Sequence, residues 1–296
     1  MTFEEKRLSV AIKTEARLAE LCRYKSELPE KNLGAAICYS LLGGGKRLRA
    51  YLVHEFCTLL GGSEENALDY GCAVEMIHAF SLIHDDLPAM DDDDMRRGKP
   101  SCHKAFDEPT AILAGDALAL DAFSVIAKNR FCSAGQNLLA TLALSESAGS
   151  KGMTAGQQID LDFENAKTDL DTVLRLIDKK TGALISCACR LGAVAAGAKK
   201  EDIEKVQKFG LYVGRAFQIT DDLLDLKGNS EKVGKTLGKD EKDGKSTVAS
   251  IVGTERAYEL AQEYISKAKN AISDLESNES KQNLYCFCDY IPGRSS

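Results

Sequence analysis

The stretch SLIHDDLPAMDDDDMRRGKP (residues 81–100) decides how the chain is read. An apolar run of helical spacing ends in Asp85 and Asp86. Pro88 stops the helix just beyond them, because its ring denies the ladder an N–H and clashes with the preceding turn. Asp91, Asp92, Asp93 and Asp94 follow, then Arg96 and Arg97. Six carboxylates within ten residues repel one another, and the negative end of a helix is a poor place for two of them. Such a segment costs stability unless a cation is present. A solvated acidic loop accounts for Asp92 to Asp94. It does not account for acids set directly against Phe80, Leu82 and Ile83, so the helix end reads as half of a metal site.

QITDDLLDL (218–226) repeats this chemistry farther along. Asp221 and Asp225 are four residues apart, about 40° around a helix, and share a face. Leu223, Leu224 and Leu226 place that helix in the core. Oxygen ligands without histidine or cysteine suit Mg²⁺ rather than zinc. In the first cluster Asp85 and Asp91 are six apart, and only the break at Pro88 lets a second carboxylate return. The spacing leaves Asp91 and Asp92 both open.

Cations supply the complement. Mg²⁺ held by few carboxylates completes its shell with water and substrate phosphate, and Arg grips phosphate bidentately. GGGKRLR (43–49) offers Gly45, Lys46, Arg47 and Arg49 on pliant backbone. Arg96 and Arg97 follow the acids, KKTG (179–182) brings Lys179 and Lys180, and a glycine-rich loop brings Lys235, Lys242 and Lys245. Residues 43–49 do not match a P-loop.

The rest of the chain fits a helical host. Apolar residues recur at three- and four-residue spacing, and alternating strand-type runs are nearly absent. Helices are expected at about 3–25, 32–61, 65–87, 109–129, 135–148, 170–197, 200–227, 247–275 and 279–290, with 92–108 and 228–246 irregular. Ser63, Glu64 and Glu65 suit the start of the third of these. The expected class is all-α, a large helical bundle. With 296 residues, 5 prolines and no Pro/Gly/Ser-rich linker, residues 1–296 read as a single domain. Hydrophobic residues at 44% and charged ones at 28% suit a soluble globular chain. No run of about 18 apolar residues is seen, so no membrane span is expected. Nor does the N-terminus resemble a signal peptide. A net charge of −7 argues against nucleic acid as partner. Ten cysteines are scattered through apolar runs, and Cys187/Cys189 and Cys286/Cys288 lack zinc spacing. Reduced thiols in a cytoplasmic protein are the expected state.

GGKRLR (44–49), EMIHAFSLIHDDLPAMD (75–91), RRGKP (96–100), LAGDAL (113–118), GQQIDL (156–161), KTGALI (180–185) and AFQITDDLLD (216–225) occur in order, followed by GKT (234–236) and KDGKST (242–247). Together they resemble the trans-isoprenyl diphosphate synthases, particularly bacterial farnesyl diphosphate synthases, from about 30 to 250. The resemblance implies a bundle around a deep central cavity and a homodimer. It also implies the 1′-4 condensation of an allylic diphosphate with isopentenyl diphosphate. Asp85, Asp86 or Asp91, with Asp221 and Asp225, would hold three Mg²⁺, with Mn²⁺ as a substitute. Arg96, Lys180, Lys235 and Lys245 would contact the allylic diphosphate, while Lys46, Arg49, His78 and Arg97 would hold isopentenyl diphosphate. Gln218 and Thr181 would flank the reacting carbons. A lone histidine on an apolar helix is usually a packed core residue; the motif at 75–91 reverses that for His78. His84 stays structural, and His103 reads as a loop contact. Phe80, with Ser81 beside it, would set chain length and stop growth at fifteen carbons. Geranylgeranyl or geranyl diphosphate synthase is the alternative, ahead of a terpene cyclase, a silent partner subunit or a metal buffer. The loop 228–246 would act as a lid, with Arg294 a weak candidate for phosphate contact.

Overall fold

The computed structural model describes residues 2–23, 29–163, 168–227 and 246–293. Lys235, Lys242, Lys245, Arg294 and nearly all of the expected lid lie outside them.

The chain runs through α1 (Phe3–Leu21), α2 (Lys31–Leu41), α3 (Leu48–Leu59) and α4 (Glu64–Asp85), then a two-stranded hairpin of β1 (Met95–Arg96) and β2 (Lys99–Pro100). Next come α5 (Cys102–Ala105), α6 (Glu108–Ala127), α7 (Ala134–Ala148), α8 (Met153–Asp162) and α9 (Leu170–Ile177). A π turn (Asp178–Gly182) leads into α10 (Ala183–Ala195) and α11 (Lys200–Lys227). The chain continues through α12 (Val248–Val252), α13 (Thr254–Ala271) and α14 (Glu279–Gly293). The fold is all-α, as the periodicity implies.

Helices α3, α4 and α10 form the centre. α4 packs on α6, α3 and α10, and α10 also lies against α11 and α7. Both α4 and α10 are buried on most sides, which a helix tolerates only when apolar nearly all round. Small side chains bring backbones close: a Cβ on Gly192 would fall 2.8 Å from Phe56 Cβ on α3. Ser63 caps α4 in a reciprocal box with Asn66. At the other end the helix stops at Asp85, with Asp86 as its C-cap, as Pro88 requires.

Three expected helices are broken. Residues 32–61 divide into α2 and α3 because Gly44 and Gly45 adopt φ of 90° and 128° and Arg47 enters α3 at φ 50°. Residues 170–197 pass through the π turn. Residues 247–275 divide at Gly253, with φ 84°. The segment read as irregular holds the hairpin and α5, and α8 was not anticipated. By length and composition alone α6 could cross a membrane, though Asp116 and Asp121 interrupt its apolar run. It is a bundle helix, packed on α4, α2, α5 and α7.

Candidate active site

The end of α4 crowds charge into little space. Burial pushes the Asp85 carboxyl up to about 6; Lys180 opposes this, Asp91 adds to it, Arg96 opposes it and Asp86 adds to it. The chain returns as Pro88 demands, and the Asp91 N–H donates to the Asp85 carbonyl at 2.8 Å. Asp92 turns elsewhere. Its φ is 48°, and it lies with Asp94 and His103, whose ligand atoms are all within 4.8 Å of one another. His103 is buried and bonds Ser101 Oγ at 3.1 Å, and Asp94 pairs with Lys104 at 2.9 Å. Of the two acids left open by spacing, Asp91 is the one beside Asp85.

Asp86 and Arg96 pair with each other. Asp86 is 2% exposed and accepts Arg96 Nε at 3.0 Å, while Arg96 Nη2 also reaches Asp93 at 3.2 Å. Sequence reasoning gave these two residues separate partners, metal and phosphate. It had no means of seeing the ion pair, because the hairpin that folds Arg96 back leaves little sequence signal. Its turn, Arg97-Gly98, has φ of 53° and 75°, the double positive φ of a I′ connection.

That turn aims Arg97 at the glycine loop, where it donates to the Gly44 carbonyl. Gly45 approaches the Arg97 guanidinium, a Cβ there falling 2.9 Å from its Cζ, and its φ of 128° favours glycine. Burial holds the His78 imidazole well below its usual range, reinforced by Arg49, Arg97, Arg47 and Arg96. His78 is therefore a neutral hydrogen-bonding group in a basic pocket. Arg49 Nε is buried without a hydrogen-bond partner; burial works against its charge and Glu75 supports it. Lys46, at the rim, donates to Tyr290 Oη of α14 at 2.9 Å. Of the expected isopentenyl set, Gly45 meets Arg97, and Arg49 and Arg97 both act on His78, while Lys46 turns to Tyr290.

Across the site, the π turn links the two acid clusters. Lys180, whose charge reaches Asp85, donates to Asp160 of α8 at 2.5 Å. Its neighbour Thr181 donates to Gln218 Oε1 at 2.8 Å, and Gln218 Nε2 donates to Asp222 at 3.0 Å. Asp222 is buried, whereas Asp221 and Asp225 are half-buried. π turns recur at functional sites. Asp160 was missed as a residue, though it lies within GQQIDL. The nearby Gln157 Nε2 is buried without a partner.

Below Asp85, the Phe80 ring meets His84 edge-on at 5.0 Å. His84 Nε2 lies 3.1 Å from the Ile112 carbonyl of α6, consistent with a structural role. Ser81 Oγ bonds back to the His78 carbonyl at 3.0 Å.

Two acid clusters, joined through the π turn, and a group of arginines around His78 make up the candidate site. Residues 30–286 match the polyprenyl synthetase family. Farnesyl diphosphate synthase of Bacillus subtilis (strain 168) is 42% identical over 272 residues, covering 91% of each chain. A chloroplastic geranylgeranyl pyrophosphate synthase of Capsicum annuum is 41% identical over 263 residues, covering 88% of this chain and 71% of its own. The crystal structure of an FPP/GFPP synthase from Zymomonas mobilis matches with a TM-score of 0.88 at 35% identity, over 98% of both chains. The chain belongs to the polyprenyl synthetase family and is a prenyltransferase.

Proposed function

We propose that this chain joins dimethylallyl or geranyl diphosphate to isopentenyl diphosphate, head to tail, and stops at (E,E)-farnesyl diphosphate. The observation that carries this reading is the π turn. It carries Lys180, whose charge acts on Asp85, and, through Thr181 and Gln218, reaches the helix of Asp221 and Asp225. One diphosphate can therefore be held from both acid clusters.

Asp85, Asp91, Asp221 and Asp225 fit a hard divalent cation, since all offer oxygen and Asp85 sits where its own charge is disfavoured. Asp86 joins them only by releasing Arg96. Three Mg²⁺, replaceable by Mn²⁺, would supply charge to stabilise the leaving diphosphate. Lys180, Arg96, Lys235 and Lys245 add to that neutralisation. The allylic C–O bond breaks, its electron pair leaving with diphosphate. The isopentenyl double bond, held by Lys46, Arg49, His78 and Arg97, attacks the resulting cation, and the released diphosphate takes the proton. The oxygens of Thr181 and Gln218 face the positive charge. Phe80 closes the growing chain's cavity at fifteen carbons, with Ser81 beside it. The whole chain acts as one cytoplasmic domain, where ten free thiols stay reduced.

Incubation with isopentenyl diphosphate and each allylic starter should yield C15, read by chromatography, and Phe80→Ala should shift the product to C20 or longer. C20 from the unaltered chain would favour a geranylgeranyl synthase. C15 from Phe80→Ala would remove Phe80 as the floor.

The chain is proposed to act as a homodimer. α6 and α7 pack together and share an apolar outer face, with Leu120 71% and Leu138 69% exposed beside Leu113 and Leu142. A patch of this kind wants a partner, and a second copy presents the same face. Leu120→Glu with Leu138→Glu should halve the sedimenting mass; an unchanged mass would place the contact elsewhere.

A further inference from the structure

The turn that links the two acid clusters is itself held from behind. An i→i+5 turn has no long ladder of its own, so its conformation depends on what it packs against. α11 supplies three supports. Arg215 grips Asp178, the first residue of the turn, with Nε to Oδ1 and Nη2 to Oδ2 both at 2.6 Å. Gly214 approaches so closely that a Cβ there would sit 2.6 Å from Gly182 Cα. Gln218 accepts from Thr181 at 2.8 Å. Positions 215, 218 and 222 fall three and four residues apart, one face of the helix, so Arg215 lies in line with Gln218 and Asp222.

Arg215 is also fixed on its far side. Its Nη1 donates to Tyr264 Oη at 3.1 Å, and its guanidinium carbon lies 5.1 Å from that ring's centroid. Tyr264, on α13, is buried and stacks on Tyr212 of α11. A bidentate fork fixes orientation as well as distance. The side chains of Arg215 and Asp178 are 21% and 24% exposed, so the pair is partly screened and contributes modestly to overall stability. What the pair constrains is the turn.

We propose that the Arg215–Asp178 pair, seated on Tyr264, is a positioning device that fixes the rotation of the π turn and so aims Lys180 and Thr181 at the allylic diphosphate. This rests on the reading above, in which Lys180 serves that substrate. Neither member of the pair contacts substrate. Both act through Lys180 and Thr181, two and three residues after Asp178.

The test is steady-state kinetics on the full chain with geranyl and isopentenyl diphosphates. Arg215→Met, Asp178→Asn and their double variant are compared with Arg215→Lys and Lys180→Ala. Each single neutral variant should lower kcat/KM for the allylic substrate about ten- to a hundredfold, the scale of an ångström-sized misplacement. KM for isopentenyl diphosphate should be unchanged. The double variant should be no worse than the worse single, because the two residues act as a unit. Arg215→Lys should fall between, since lysine offers a point charge instead of a fork. Multiplying losses in the double variant would overturn the proposal. So would equal effects on both substrates, as would allylic constants within about twofold of the unaltered chain beside a damaged Lys180→Ala. An undamaged Lys180→Ala would overturn the reading of Lys180 together with the proposal built on it.

Discussion

Asp85→Asn is expected to lower kcat about a thousandfold while raising the melting temperature of the metal-free chain by roughly 5 °C. Both effects come from the same carboxylate. A thousandfold corresponds to about 4 kcal/mol of barrier, the scale on which a metal's charge stabilises a leaving group. The gain in stability follows from burial, which raises the Asp85 carboxyl from 3.8 to about 6. A raised carboxyl means that the folded chain holds its proton more tightly than the unfolded one. Folding is therefore favoured below pH 4, and that advantage is lost as pH climbs from 4 through 6. At neutral pH the ionised group costs on the order of 2–3 kcal/mol, and asparagine removes that cost. Roughly 2–4 °C per kcal/mol gives the shift in melting temperature. The same proton competes with metal, so cation affinity of the unaltered chain should weaken below about pH 6. The variant should lose that step. Thermal melts in chelator and metal titrations across pH 5–8 measure both. A melting temperature that falls on substitution would show that Asp85 is a stabilising residue and not a strained ligand.

Glu75→Ala is expected to cost about 3–5 kcal/mol of folding stability, because it takes from a buried guanidinium the more buried of its two acids. Glu75 is 2% exposed and Arg47 3%. Glu75 accepts Arg47 Nη1 at 3.2 Å and the Ala50 N–H at 3.1 Å. Arg47 keeps Glu15 at 2.6 Å and the Leu41 carbonyl at 2.5 Å, but Glu15 is partly solvated and compensates less. Arg49 and Arg97 feel the charge of Glu75 as well. Removing it therefore leaves the whole basic pocket repelling itself. Glu75→Gln, which retains an acceptor for Ala50, should cost less. Urea denaturation measures the difference. A midpoint unchanged in the alanine variant would mean that Glu15 alone neutralises Arg47.

The sequence exposed the parts of the site that obey local rules. Pro88 had to end α4, so Asp85 and Asp86 had to stand at its tip. Asp221 and Asp225 had to share a face, being four apart. The π turn was illegible for the converse reason. Residues 173, 177, 184 and 188 keep helical spacing through it, and a change from i→i+4 to i→i+5 bonding leaves no mark on composition. The break at 42–47 was masked in a different way, because apolar periodicity resumes on both sides of the glycines. Pairing was hardest to see. Asp86 with Arg96, Lys180 with Asp160 and Arg215 with Asp178 each join residues 10 to 37 apart, and residue type alone does not say which acid an arginine will meet. Glu75 was passed over because an acid inside an apolar helix has meaning only once the arginine it neutralises is known.

The arginine pocket has a consequence for how long the polypeptide survives. Arg47 and Arg96 have carboxylate partners, but Arg49 Nε is buried and unpartnered beside a neutral His78, so the folded chain keeps positive charge there that lacks a direct partner. An anion bound only by the folded form relieves it and stabilises the fold by mass action, about 2.7 kcal/mol at a hundred times Kd. When substrate is scarce, the chain opens more often, and proteolysis follows the open population. Abundance of the protein would then track the supply of its own substrate, with no dedicated regulator.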